Sequence, residues 1–480
     1  MKIKNIILVT ISIAGLYSCS KVTEQVPLSD LTKSNFWNTQ ADAEAGVTAV
    51  YNQLQSLAGA TLFNLTLRAD EVITPDQYGY NSVSPGFLQI QQNQISPTDG
   101  IAGWSGFYGG ISRANNVLAY VPPMTIAEAD KNRILGEAYF LRAYFYFILT
   151  QNWGNVPIIT KPYTIVSDSM NVSRNPTEQV YAQIIDDLKN AESLLPLQQA
   201  TSIKTRIRAT KGAAQALLSN VYLTRGYQSF AAATDFENAA AKAQEVINNP
   251  NYALVNGPDY GTLYTQKDAK EIIMAMSYDY TKGETNGLTV NFLPRGYNKV
   301  RAFAGDGNVM PTKLITNNYE TGDIRASVSF LRVPDPTAYF DNEFIGQYYV
   351  AKYQGTVVQV GTTRYSDSNW LLYRLADVIL MRAEALVKLD KANEAIPLVN
   401  QIRKRAGLSD LTVTAPADVA KAIQKERLYE LCFEGKRWYD LLRTGMINEV
   451  RPTYIGKLLL PVPQSDVDQD PNLLPQNPGY

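Results

Sequence analysis

Apolar residues recur at helical spacing in adjacent pairs of segments, and that pairing confines the chain to helix-on-helix architectures. Ala214, Leu217, Leu218, Val221 and Tyr222 fall at i, i+3, i+4, i+7 and i+8, and the run stops near Gly226. Phe236, Ala239, Ala240, Ala243 and Ile247 repeat the spacing and end at Pro250. One such stripe needs another to bury it, and the small residues of the second segment allow close approach. The pattern returns near the C-terminus. Leu372, Leu375, Ala376, Ile379 and Leu380 predict one helix; Ala392, Ala395, Ile396, Val399 and Ile402 predict the next. Gly407 closes it after Arg403-Lys404-Arg405, cations that suit a helix C-terminus. Thr125-Ile126-Ala127-Glu128 reads as a capping box that opens a helix through Ile134, Ala138, Leu141, Phe145 and Ile148 to Gly154, before Pro157. Asn175-Pro176 opens another, with Tyr181, Ile184, Ile185 and Leu188 on one face, ended by Pro196. A last helical stretch is expected from Pro416 to about Arg443, with a break at Gly435. The predicted fold class is mainly α: a tetratricopeptide-like helical-hairpin scaffold, without the strict repeat consensus, carrying large insertions.

The insertions are rich in Gly, Asn, Gln, Tyr and Thr, with short strand-like runs such as Ile272–Met276 and Gln347–Tyr353. Connections longer than about 12–15 residues without structure of their own are usually functional or disordered, and the aromatic content argues against disorder. No Gly/Ser or acidic linker divides the chain. Residues 19–480 are therefore expected to form one unit, with helical scaffold at about 30–60, 111–250 and 370–445 and loop-rich, ligand-side insertions at about 61–110 and 252–369.

The first 18 residues have the form of a signal peptide. Lys2 and Lys4 precede an apolar run from Ile6 to Leu16, too short to span a bilayer, followed by Tyr17-Ser18-Cys19. The cysteine directly after such a stretch resembles a bacterial lipobox, in which Cys19 is acylated and anchors the mature chain by its fatty-acyl (palmitate-type) chains. Cys432 then has no intramolecular partner and is expected to be a small buried core residue.

Composition narrows the chemistry. The chain has no histidine and a formal charge of −1. The first fact removes the commonest general base and metal ligand. The second, with no basic stripe, argues against nucleic acid. No phosphate-binding loop, dinucleotide fingerprint or nucleophile elbow is present. Glu426, Glu430 and Glu434 stand at i, i+4 and i+8 beside Arg427, Lys436, Arg437 and Asp440. Paired carboxylates could serve a glycosidase, but enough cations lie in the same stretch to keep each acid ionised, so a structural ion-pair network is expected. Asp466, Asp468 and Asp470 alternate like the first ligands of a calcium loop, with Pro471 and Asn477 where Gly and Glu should be. A solvated turn is the expected reading; an adventitious calcium ion stays open, no other metal or cofactor is called for, and no catalytic set is present.

A binding function fits better. Tyrosines number 30 against 15 phenylalanines, and rings with a polar tip suit ligands that combine apolar faces with hydroxyls, although many such tyrosines simply pack between helices. Asp70, Asp76, Tyr78, Tyr80 and Asn81, with Phe87, in the first insertion, and Tyr280, Asn291, Arg295, Tyr297, Arg301 and Phe303 in the second, make the candidate ligand-binding set.

Several segments, taken in order, resemble the SusD/RagB-like nutrient-binding lipoproteins of Bacteroidetes. After the lipobox these are Leu31 to Trp37 with Asp42-Ala43; Trp104, Tyr108, Ile111 and Arg113-Ala114-Asn115-Asn116; Gly136 to Ala143 with Trp153-Gly154-Asn155-Val156-Pro157; Leu372 to Val378 with Arg382-Ala383-Glu384-Ala385; Glu426-Arg427 through Glu434 to Leu441; and the ending Asn477-Pro478-Gly479-Tyr480. The resemblance spans Cys19 to Tyr480. It implies a loop-rich subdomain bearing the ligand site on the helical scaffold, and a SusC-like TonB-dependent transporter of the outer membrane as partner, over which the lipoprotein sits as a lid. It implies that Trp104, Trp438 and the Glu/Arg block are structural. The expected function is a surface lipoprotein, anchored in the outer membrane and facing outward, that binds oligosaccharides and delivers them to the transporter without chemistry. A peptide-binding, RagB-like uptake protein and a helical-repeat adaptor of the cell envelope are the alternatives.

Overall fold

The computed structural model describes residues 36–57, 61–75, 85–163, 172–200, 206–294, 306–332, 347–353, 357–360 and 363–480. The stripes read in the sequence become helices α3 (Glu128–Trp153), α4 (Thr177–Leu194), α5 (Lys211–Arg225) and α6 (Asp235–Ile247), preceded by α1 (Gln40–Leu57) and α2 (Ser105–Tyr120). A short α7 (Gly287–Phe292) lies in the second insertion. The scaffold resumes with α8 (Leu375–Lys388), α9 (Ala392–Arg405), α10 (Pro416–Leu431) and α11 (Arg437–Thr444). From α1 to α6 each helix packs on the next, and α6 then packs on α8, so the stack continues across the whole second insertion. Helix α3 is its centre: Phe140, Leu141, Phe145, Tyr146, Leu149 and Trp153 are all buried, as expected of a helix apolar around most of its circumference. Gly110 of α2 faces it, where a Cβ would run into the Phe145 ring. The alanines Ala239, Ala240 and Ala243 give α6 its close contact with α5.

Three local expectations are corrected. The capping box does not form: Glu128 is the first helical residue of α3, not its third, and Ala127 at the N-cap has no side-chain acceptor to offer. Leu372 is not helical but lies in strand β8 (Trp370–Arg374), antiparallel to β2 (Ile272–Met276). Both strands are buried throughout, and a continuous apolar run carries no period that separates strand from helix. The break after α10 starts at Cys432, before Gly435. Phe433 and Gly435 have φ of 66° and 72°, so Glu434 leaves the helix and the i+8 alignment with Glu426 is not realised.

The other strands also pair in twos: β1 (Val72–Ile73) with β3 (Met310–Pro311), β4 (Phe330–Arg332) with β5 (Tyr348–Val350), and β6 (Val357–Val360) with β7 (Thr363–Ser366), all antiparallel.

A buried ion network ties the second insertion to the scaffold. Glu430 accepts from Arg374, Arg405 and, at 3.0 Å, Arg325. Glu426 meets Arg325 at 2.5 Å, and Glu434 meets Arg374 at 2.9 Å and Lys352 at 2.9 Å. Burial opposes charge on Glu430, but Arg405, Arg374 and Arg325 outweigh it and hold the carboxyl well below the usual range. The network expected from sequence is thus present with other partners. The cations nearby in sequence look elsewhere: Arg427 to Asp377 and Asp440, Lys436 to Asp377, Arg437 to Asp70. Trp438 is fully buried under the Arg68 guanidinium, 4.3 Å from the ring centroid. Trp104 donates to Asp466. The aspartates near the C-terminus are solvated only in part: Asp468 is exposed, on the short helix Gln464–Gln469, whereas its two neighbours are engaged. Asp470 is buried and accepts from the amides of Val172 and Asn472. No group of three or more acidic or cysteine side chains that could hold a metal occurs among the described residues. Cys432 is buried, as expected. No described helix is long and apolar enough to cross a membrane.

Candidate functional site

Two polar-aromatic stretches far apart in sequence spring from neighbouring, clamped feet. The β1–β3 pairing sets Ile73 opposite Met310. Because the strands are antiparallel, the chain leaving β1 toward residue 76 and the chain entering β3 from residue 306 meet at one end of the ribbon. The first foot is closed by Gln91, from the short helix Pro85–Gln91: its Oε1 accepts the Thr74 amide at 2.8 Å and its Nε2 donates to the Val72 carbonyl at 2.9 Å. The amide side chain thus stands in for a third strand beside β1. The second foot is closed around the end of α7. The amides of Asp306 and Gly307 donate to Val290 and Leu293, and Asn308 Nδ2 donates to Asn291 Oδ1 at 2.7 Å. Feet fixed in this way let variable connections carry function on a rigid base.

Of the candidate ligand residues, Asp76, Tyr78, Tyr80, Asn81, Arg295, Tyr297, Arg301 and Phe303, and the lipidation residue Cys19, lie outside the described residues. Three lie within them. Asn291 is part of the second clamp. Asp70 sits at the opposite end of the ribbon, where its carboxylate takes two bonds from Arg437, at 2.7 and 2.8 Å, and its carbonyl accepts from Thr312 Oγ1. Both side chains therefore hold the frame of the site. Tyr280 is half-buried in a 3-10 turn ahead of α7. Phe87 packs against the core. Sequence reasoning missed Gln91 and Asn308, because a side chain that substitutes for a strand partner leaves no local pattern.

Next to the ribbon, Glu71 is fully buried and accepts the Phe433 amide at 3.0 Å. Burial pushes its carboxyl up to about 8, against the pull of that amide. Through that bond it secures the left-handed turn after α10. Beside the Asp70 end of the ribbon, a groove of about 690 Å³ runs between α8 and α10, walled by Tyr227 and Tyr429 with Lys388, Lys421 and Lys425 along it.

Comparison with known proteins places this architecture. The model of a family described as starch-binding and associating with the outer membrane matches residues 16–223, and the SusD family model matches residues 327–457. A SusD-like protein of Formosa agariphila is 29% identical, with 97% of each chain aligned. The crystal structure of a SusD superfamily protein from Parabacteroides distasonis superposes with a TM-score of 0.78 at 27% identity, covering 94% of this chain and 100% of that one. A laminarin-binding SusD-like protein superposes with a TM-score of 0.78 at 28% identity, covering 92% and 100%. The chain belongs to the SusD/RagB-like family, whose helical, tetratricopeptide-like fold it shares.

Proposed function

We propose that this protein captures oligosaccharides at the outer membrane and passes them, unaltered, to a SusC-like TonB-dependent transporter. The observation that carries the reading is the convergence of the two clamped feet. It brings together the bases of two insertions rich in Gly, Asn, Gln, Tyr and Thr, in a family whose models and relatives include starch- and laminarin-binding proteins. Sugars present apolar C–H faces and many hydroxyls, which aromatic rings and fixed amide or carboxylate groups match. The ligand set on this reading is Asp76, Tyr78, Tyr80 and Asn81 from the first loop and Arg295, Tyr297, Arg301 and Phe303 from the second, with Tyr280 at its approach. Asp70 and Asn291 support it from below. Acylation of Cys19 anchors the chain in the outer membrane, facing outward, with residues 61–110 and 252–369 toward the ligand.

Calorimetric titration of the chain from residue 20 onward, against laminarin and starch oligosaccharides and against mixed oligopeptides, tests this. Saturable heat with a glycan is expected, weakened about tenfold or more (~1.4 kcal/mol) by Tyr80→Ala or Tyr297→Ala. Heat with peptides alone would replace the reading with peptide capture. Recovery of no large β-barrel with the acylated protein, from gently solubilised outer membrane, would remove the transporter from it.

A further inference from the structure

The groove between α8 and α10 lies at the Asp70 end of the ribbon, away from the loop feet. Its volume of about 690 Å³ is that of a small-molecule site. Two contacts fix how its walls run. Arg427 meets Asp377 at 3.0 Å and Gln424 meets Glu384 at 2.9 Å, so residue numbers fall along α10 as they rise along α8. One turn further, Lys388 comes to the level of Lys421. Both lysines are exposed and line the groove. Lys388 lies over the Tyr227 ring, 4.4 Å from its centroid. Among the described residues neither lysine has a carboxylate partner. Most other charges of the lining are engaged: Glu384 with Arg443 at 2.8 Å, Arg437 with Asp70 at 2.7 Å, and Lys425 with Glu320 at 3.1 Å. Glu449 is exposed, but it belongs to the short helix Ile447–Val450 on another wall and pairs with neither lysine. Two neighbouring ammonium groups without a counter-charge repel each other, and an anion held between them removes the repulsion.

The rest of the groove has the opposite character. Leu314, Val387, Ala420 and Met446 line it and are only half-buried, so each keeps apolar surface that a ligand can touch. Asn318 and Thr444 already donate to carbonyls of their own segments. The long walls are helices, whose N–H and C=O groups are bonded internally, so they offer no strand edge to a peptide backbone. A peptide or a sugar lying here would leave amides or hydroxyls unpaired against aliphatic surface, which is unfavourable. A ligand with one anionic head and an apolar tail matches both parts. From Lys421 to Leu428 the α10 wall rises about 10 Å, at about 1.5 Å per residue, which suits a tail of medium length.

We infer that the groove binds an amphiphilic carboxylate, with its head between Lys388 and Lys421 and its alkyl tail along Val387, Met446 and Leu314. The site goes beyond the capture reading and shares no residue with the ligand loops, so either can fail alone. The experiment is a calorimetric titration of the chain from residue 20 onward with sodium decanoate, sodium hexanoate and decyltrimethylammonium, each below its micelle concentration. It compares the parent with Lys388→Gln, Lys421→Gln and the double variant. Both lysines are exposed and have no ion pair to lose, so all three variants should melt with the parent. One saturable site for decanoate is expected, weakened several-fold in each single variant and about tenfold or more in the double variant. Hexanoate, four CH₂ groups shorter, should bind at least about tenfold more weakly, and the cationic amphiphile should give no saturable heat. Absence of saturation with decanoate, unchanged affinity in the double variant, or equal binding of hexanoate or of the cationic amphiphile would each overturn the inference. Saturation by a Leu- and Glu-rich hexapeptide where decanoate gives none would assign the groove to a protein partner and overturn it as well.

Discussion

Arg374 shows what a single side chain does in this core. It is 1% exposed and bonds Glu271, Glu430 and Glu434 together. Removing one member of a buried ionic cluster leaves opposite charge unpaired in a poor solvent, which typically costs about 3–5 kcal/mol. Arg374→Met is therefore expected to lower the free energy of unfolding by that order in urea titrations. Arg374→Lys should restore only part of it, because an ammonium cannot reproduce the planar fork that spans several carboxylates. Two other acids give opposite signs with pH. Burial opposes ionisation of Glu384, but Arg443 outweighs it and takes the carboxyl to about 2 from an ordinary 4.5. A depressed value gives stability that is whole above pH 4.5 and is lost as pH falls toward 2. Glu71 is raised to about 8 from 4.5, so its contribution is whole below pH 4.5 and is lost as pH rises through 8. Relative to the parent, Glu71→Gln should gain stability between those values, by at most about 1.4 kcal/mol per pH unit. A flat difference between parent and variant across pH 5–8 would refute that assignment. The structural role of Glu426, Glu430 and Glu434 is legible from their matched cations, but their partners are not. Arg325, Lys352, Arg374 and Arg405 arrive from segments that only the tertiary fold brings near.

At the scale of elements, what the sequence reveals depends on whether the signal is local. The stripes of α3 to α6, α8 and α9 repeat at helical period, and they fold where that period places them. Leu372 fails the same test, since β8 is buried on both faces and its residues show no alternation. The candidate site divides similarly. Its polar-aromatic content can be read off the chain, whereas the clamps that hold its feet are contacts between elements and cannot. Gln91 makes this distinction measurable. Gln91→Ala leaves the Thr74 amide and the Val72 carbonyl without their buried partner, a loss of about 1–3 kcal/mol. On the capture reading it also loosens the base of the first loop. Laminarin affinity should fall in Gln91→Ala although residue 91 lies in the clamp, and an unchanged affinity would mean that the foot does not position the site.

Across the whole molecule, the helical stack and the second insertion are coupled twice. Packing of α6 on α8 closes the stack across the insertion. The ion network then runs through it, because Arg325 and Lys352 belong to the insertion while Glu426, Glu430 and Glu434 belong to the C-terminal scaffold. Neither part can open without exposing a charge cluster that the other part neutralises. One cooperative transition is therefore expected, despite a length at which chains commonly divide into domains. Far-UV circular dichroism reports the helices, and tryptophan fluorescence reports five residues: Trp37, Trp104, Trp153 and Trp438, together with Trp370 at the junction, where its ring stacks on Tyr353 of the insertion. The two probes should share a midpoint, and Arg325→Met should lower it equally in both. Midpoints that separate, or a shift in fluorescence alone, would show the insertion to be an independent unit. A shared midpoint has a functional consequence. On the capture reading, a ligand face locked to its scaffold would not close as a separate unit, so closure over a transporter would be a movement of the whole protein.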